Sequence, residues 1–124
     1  MIGHILLIGL GGALGSIARY LTVLAVARAI PERVPAGTFT VNVIGSFAIG
    51  VIFGLSHRYA WLSPEWRFFL ATGFCGGFTT FSAFAYENMM LIESRDYSMV
   101  ALNVISSVAV CLAAVFAGLM ISKG

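Results

Sequence analysis

A chain of 124 residues that is 60% hydrophobic and only 10% charged is one domain at most, and too small to bury so much apolar surface in a water-soluble core. It reads as an all-α, multi-pass membrane protein. Its formal net charge of +2 is small and scattered, which speaks against nucleic-acid binding.

Charges and prolines divide the sequence into four apolar blocks, each reaching the roughly 20 residues that a bilayer crossing needs. The first, about 2–29, ends before Pro31-Glu32-Arg33. It lacks a basic leading region and a small-residue cleavage site, so a retained helix is expected rather than a signal peptide. Arg19 lies inside it and suits a structural role, either snorkelling to the headgroups or binding carbonyls. The second block, about 37–56, ends at His57-Arg58 and carries Asn42 near its middle. An amide at that depth needs partners, so Asn42 is either a tie between helices or a donor to an anion in a pore.

The third block, about 64–92, opens at Ser63-Pro64-Glu65, where Ser63 can cap and Pro64 suits the first turn. It ends before Glu93-Ser94-Arg95-Asp96. Between Gly73 and Ser82 it packs three glycines and three hydroxyls, which predicts a helix broken near its middle. At such a break, carbonyls of Gly76, Gly77, Phe78 or Thr79 lose helical donors. They either ligate a dehydrated monovalent cation or are satisfied by nearby hydroxyls and water. Phe81 and Phe84, three apart, share a face: they are core, or they turn positive ring edges toward a small anion. Glu87 marks a vestibule, or reaches an interface or an arginine.

The fourth block, about 98–122, has no charge until Lys123. Asn103, Ser107 and Cys111 fall four apart, giving one face a mild polarity that borders a pore or bonds a neighbouring helix. Cys75 and Cys111 both lie in apolar blocks, so neither a structural disulfide nor a thiolate metal site is expected. His4 and His57 have no nucleophile beside them, and no catalytic constellation emerges. An enzyme is not expected.

Four crossings place both termini on one side. That side and the middle loop hold Arg58, Arg67 and Lys123, against Arg28, Arg33 and Arg95 opposite. With the count tied, the positive-inside rule favours neither orientation. Orientation is then fixed by other means, or chains insert both ways up and pair about a two-fold axis in the membrane plane. Small residues at Gly11 and Gly15, at Ser46, Gly50 and Gly54, and at Gly73 and Gly77 permit close packing within the chain. As a set, they favour a tight, helix-rich oligomer.

Three strings carry a family resemblance: Gly11-Gly12-Ala13-Leu14-Gly15-Ser16-Ile17-Ala18-Arg19-Tyr20, Gly37-Thr38 with Asn42-Val43-Ile44-Gly45, and above all Thr72-Gly73-Phe74-Cys75-Gly76-Gly77-Phe78-Thr79-Thr80-Phe81-Ser82. With Phe84 and Glu87 they resemble the Fluc/CrcB family of fluoride channels across essentially the whole chain. The resemblance implies an antiparallel, dual-topology homodimer in the cell's inner membrane, with two pores passing fluoride passively out of the cytoplasm. It implies Asn42, Phe81, Ser82, Phe84, Ser107 and Cys111 along the fluoride path and Glu87 at a pore mouth. It also implies backbone carbonyls of Gly76 and Thr79 on a structural sodium ion that is not transported. Ala83 and Cys111 depart from the family pattern, each standing where a hydroxyl is common. The competing reading is a small, dual-topology, proton-coupled multidrug exporter. That mechanism calls for a membrane-buried carboxylate, whereas the first block offers Arg19 and the third offers Glu87 only near its end.

Overall fold

The computed structural model describes residues 1–31 and 34–123, so the expected loop residues Glu32 and Arg33 lie outside it. Four helices among the described residues are long and apolar enough to cross a membrane: α1 (Ile2–Ala27), α2 (Ala36–Arg58), α3 (Pro64–Glu93) and α4 (Tyr97–Lys123). Side chains such as Leu6, Ile17, Leu102, Ile105, Leu112 and Phe116 stand on their outer faces, as lipid-facing residues do. Pro64 opens α3 as expected. Ser63 has the extended backbone of a cap, but its hydroxyl makes no capping bond; its carbonyl instead accepts from Arg67 N–H at 3.1 Å.

Glycine organises the packing. A Cβ on Gly73 would come within 2.9 Å of the Ile8 carbonyl and 3.1 Å of the Gly11 Cα, and one on Gly77 within 3.1 Å of the Gly12 Cα. Gly11 and Gly15 face the α3 backbone in the same way. α1 and α3 thus meet backbone to backbone. α2 and α4 do likewise: a Cβ on Gly118 would lie 2.9 Å from Val51 N and one on Gly50 3.1 Å from Leu119 N. Ser122 fills the space beside Gly54, its hydroxyl donating to the Gly118 carbonyl at 2.7 Å. The small-residue faces are therefore engaged within the chain.

α3 is not uniform. After one α turn, Phe68–Cys75 widens into π-type turns, Gly76–Phe78 returns to α, and Phe81–Glu93 forms a separate second half. The interruption falls on Thr79 (φ −90°, ψ 159°) and Thr80 (φ −152°, ψ 120°), both extended. Gly73 lies in the widened turns and Gly76 and Gly77 in the α turn that follows, with α1 packed on Gly73 and Gly77. The break comes just after, where β-branched threonines favour extended backbone and gain side-chain partners.

Candidate functional site

Breaking a helix inside a membrane leaves backbone groups that must find partners. Asn42 on α2 supplies two. Its Oδ1 accepts from Thr80 N–H at 2.8 Å, and its Nδ2 donates to the Thr80 carbonyl at 3.1 Å. A side-chain amide has the same donor and acceptor as a peptide, so Asn42 replaces the lost helical neighbours of Thr80. Thr79 turns back on the first half, its N–H and hydroxyl both donating to the Cys75 carbonyl, at 3.0 and 2.8 Å. Thr80 then caps the second half, its hydroxyl accepting from Ala83 N–H at 3.2 Å.

These substitutions have a by-product. Thr80 N–H, the helical donor to the Gly76 carbonyl, goes to Asn42 instead. Ala83 N–H, the helical donor to the Thr79 carbonyl, goes to the Thr80 hydroxyl. The carbonyls of Gly76 and Thr79 lose their helical donors, as do those of Gly77 and Phe78, whose donors Phe81 and Ser82 open the second half.

Beside the break lies an open groove of about 450 Å³ between α2, α3 and α4. Its lining brings together Asn42, Gly76, Thr79, Phe81, Phe84, Ser107 and Cys111, residues drawn from three helices. The Phe81 and Phe84 rings are tilted at 45° with centroids 5.5 Å apart. Phe84 is half-buried, while Phe81 remains 78% exposed at the outer rim. The second half of α3 starts here, so the positive end of its dipole lies at the groove. Apolar walls, a side-chain amide, hydroxyls, a thiol and two aromatic rings can accommodate a small ion shedding its water.

Three expected site residues stand apart from this groove. Ser82 is exposed and shares a 3.2 Å hydrogen bond with the Thr80 hydroxyl. Arg19 is half-buried on α1 with no hydrogen bond or ion pair among the described residues. Glu87 borders a second cavity of about 530 Å³, with Val23, Pro31, Thr38 and Met90 around it. Its Oε2 accepts from the Thr38 hydroxyl at 2.8 Å, whereas Oε1 is buried with no partner among the described residues.

Two residues gain importance only in the fold. Thr38 pairs with Glu87 across 49 positions, and no sequence signal announces a contact of that range. Asn88 is buried and its Oδ1 accepts from Asn103 Nδ2 at 2.9 Å. Its signal was present, an amide one helical turn beyond Phe84 with a second amide in the next span.

A family model described as "CrcB-like protein, Camphor Resistance (CrcB)" matches residues 6–119, nearly the whole chain. The chain belongs to this CrcB-like family. Curated relatives agree with that placement. A protein of Gloeothece citriformis is 47% identical over 120 residues, covering 97% of each chain. One from Leptospira interrogans is 43% identical over 119 residues, 96% of this chain and 94% of its own. One from Campylobacter jejuni is 42% identical over 123 residues, 99% of this chain and 100% of its own. All three relatives bear the name "Fluoride-specific ion channel FluC", that of a channel and not of an enzyme.

Proposed function

We propose that the chain is a fluoride-selective channel of a cell's inner membrane, through which fluoride leaves the cytoplasm passively, and that it works as an antiparallel homodimer with two pores. The groove carries this reading, because one continuous lining gathers the aromatic pair, an amide, hydroxyls and a thiol from three helices. The relatives' names supply the ion. Fluoride keeps its water more tightly than larger halides, so its path must offer hydrogen-bond donors without a fixed cation that would trap it. Asn42 Nδ2 carries two hydrogens, and one is committed to Thr80, leaving the other for an ion. Phe81 and Phe84 add ring edges, Ser107 and Cys111 continue the track along α4, and Ser82 lies beside Phe81 at the entrance. Glu87 shapes a vestibule, and Arg19 keeps a structural role toward the headgroups.

The groove's position supports pairing. Open to lipid, it would leave the exposed Gly76 backbone and the polar groups of Thr79, Thr80 and Asn42 at membrane depth without cover. A second copy related by a two-fold axis in the membrane plane would cover them, and the balanced arginine and lysine count permits it. The carbonyls of Gly76 and Thr79 fit a dehydrated sodium ion, being hard oxygens without helical donors. Two oxygens per chain are too few for one ion, so both copies would contribute. Bound sodium would cross-link the copies and would not be transported.

Export needs no coupled energy source. Hydrogen fluoride entering from acidic surroundings dissociates inside, and the membrane potential expels the anion. The carboxylate that a proton-coupled exporter would need is absent from the groove, since Glu87 is tied to Thr38 at a different cavity. Purified chain in proteoliposomes should release fluoride to a fluoride electrode with no imposed proton gradient, and should not release chloride. Equal chloride efflux, or an absolute need for a proton gradient, would overturn the reading.

A further inference from the structure

The second half of α3 bears both aromatic residues of the groove, and polar ties join it to its neighbours. Asn42 holds its start, Thr38 holds Glu87, and Asn103 of α4 holds Asn88. The third tie does not end at Asn88. Asn103 donates from Nδ2 to Asn88 Oδ1 at 2.9 Å, which turns its own Oδ1 toward Ser107. The Ser107 hydroxyl donates to that oxygen at 3.3 Å. Asn88 and Asn103 are buried behind the groove, and Ser107 lines it.

A serine hydroxyl has a single proton. While Asn103 accepts it, Ser107 offers the groove only lone pairs, which repel an anion. The 3.3 Å bond is long for an O–H donor and therefore easily exchanged. We propose that Asn88 and Asn103 are positioning residues for Ser107. Their amide pair fixes the direction of the Asn103 carbonyl oxygen and keeps the Ser107 proton turned away until an anion draws it into the groove. This rests on the reading of the groove as an anion path, and it deepens that reading. Each ion must exchange one weak bond for another at Ser107, so the serine grips an ion lightly and releases it quickly, as conduction requires.

The test is fluoride efflux from proteoliposomes of the full chain, read as the half-saturating fluoride concentration. Asn88→Leu lets the Asn103 amide turn, freeing the Ser107 proton. Should the unpaired Asn103 prevent folding, Asn88→Leu with Asn103→Leu leaves neither amide orphaned and removes the acceptor altogether. In either background the half-saturating concentration should fall about fivefold, the equivalent of one hydrogen bond of about 1 kcal/mol. Adding Ser107→Ala should abolish that shift, because a purely structural effect of the amides would not depend on the hydroxyl. An equal shift with and without Ser107, or no shift in a folded variant, overturns the positioning role while fluoride conduction stands. A wild-type chain that passes no fluoride overturns both.

Discussion

Replacing Asn42 tests what holds the break open. In Asn42→Leu the Thr80 N–H and carbonyl lose the partners now at 2.8 and 3.1 Å. An orphaned buried polar group costs about 1–3 kcal/mol, which would put the pair at about 2–6 kcal/mol. Side-chain hydrogen bonds between membrane helices measure lower, about 0.6 kcal/mol on average and about 1.7 at most, because the unfolded chain in the membrane also finds partners. The two Thr80 bonds together should therefore stabilise by about 1–3 kcal/mol, or roughly 5- to 150-fold in the unfolding equilibrium. Fluorescence of Trp61 and Trp66 during denaturant titration in mixed micelles would read this, with Ser46→Ala as a control on the same helix. Asn42→Asp separates the two bonds, since it keeps the acceptor for Thr80 N–H and sets an oxygen against the Thr80 carbonyl. Should Asn42→Leu lose no more stability than Ser46→Ala, the extended pair Thr79–Thr80 does not depend on Asn42.

Phe81→Ile should lower fluoride efflux at least tenfold while the fold survives, because Phe81 is 78% exposed and contributes little to the chain's own core. Unchanged efflux would remove ring edges from the path. Gly118→Ala should destabilise by about 1–3 kcal/mol, since its Cβ would lie 2.9 Å from Val51 N between two backbones that have little room to part. Gly9→Ala, with nothing within 4 Å, should be neutral or stabilise α1 by up to about 1 kcal/mol in the same titration. Thr38→Val should lower stability by about 1–3 kcal/mol by leaving the Glu87 carboxyl with neither oxygen bonded. Glu87→Gln, which keeps an acceptor for Thr38, should be the milder change.

The four crossings were legible because charge and proline end each apolar run, and each bound lies within two residues of its expected place (29 against Ala27, 56 against Arg58). The break was legible from composition, since Thr79 and Thr80 fall inside the stretch of glycines and hydroxyls from Gly73 to Ser82. Gly73 and Gly77 serve the contact with α1, a purpose that cannot be told from helix loosening without knowing which helix lies opposite. Spacing puts Phe81 with Phe84, three apart, and Ser107 with Cys111, four apart, each on one helix face, but their meeting with Asn42 in one groove was implied by the family resemblance and not by spacing. The pairing of Asn42 with both sides of Thr80 was not legible either, because it depends on how α2 and α3 are rotated against each other. Thr38 and Glu87 meet for the same unreadable reason. Asn88 could have been singled out, since a second amide in the following span was available to satisfy it.

The glycine contacts join α1 to α3 and α2 to α4, so partners in space alternate along the chain. Each helix emerging from the ribosome must wait through a whole intervening span before its counterpart is made. α1 enters the bilayer with its notched face open until α3 (Pro64–Glu93) is made, and α2 does the same until α4 is nearly finished. The closest backbone contacts are therefore not made within each successive hairpin. The last helix closes the assembly, and a chain cut short before Gly118 would leave α2 as a sticky surface for quality control to find.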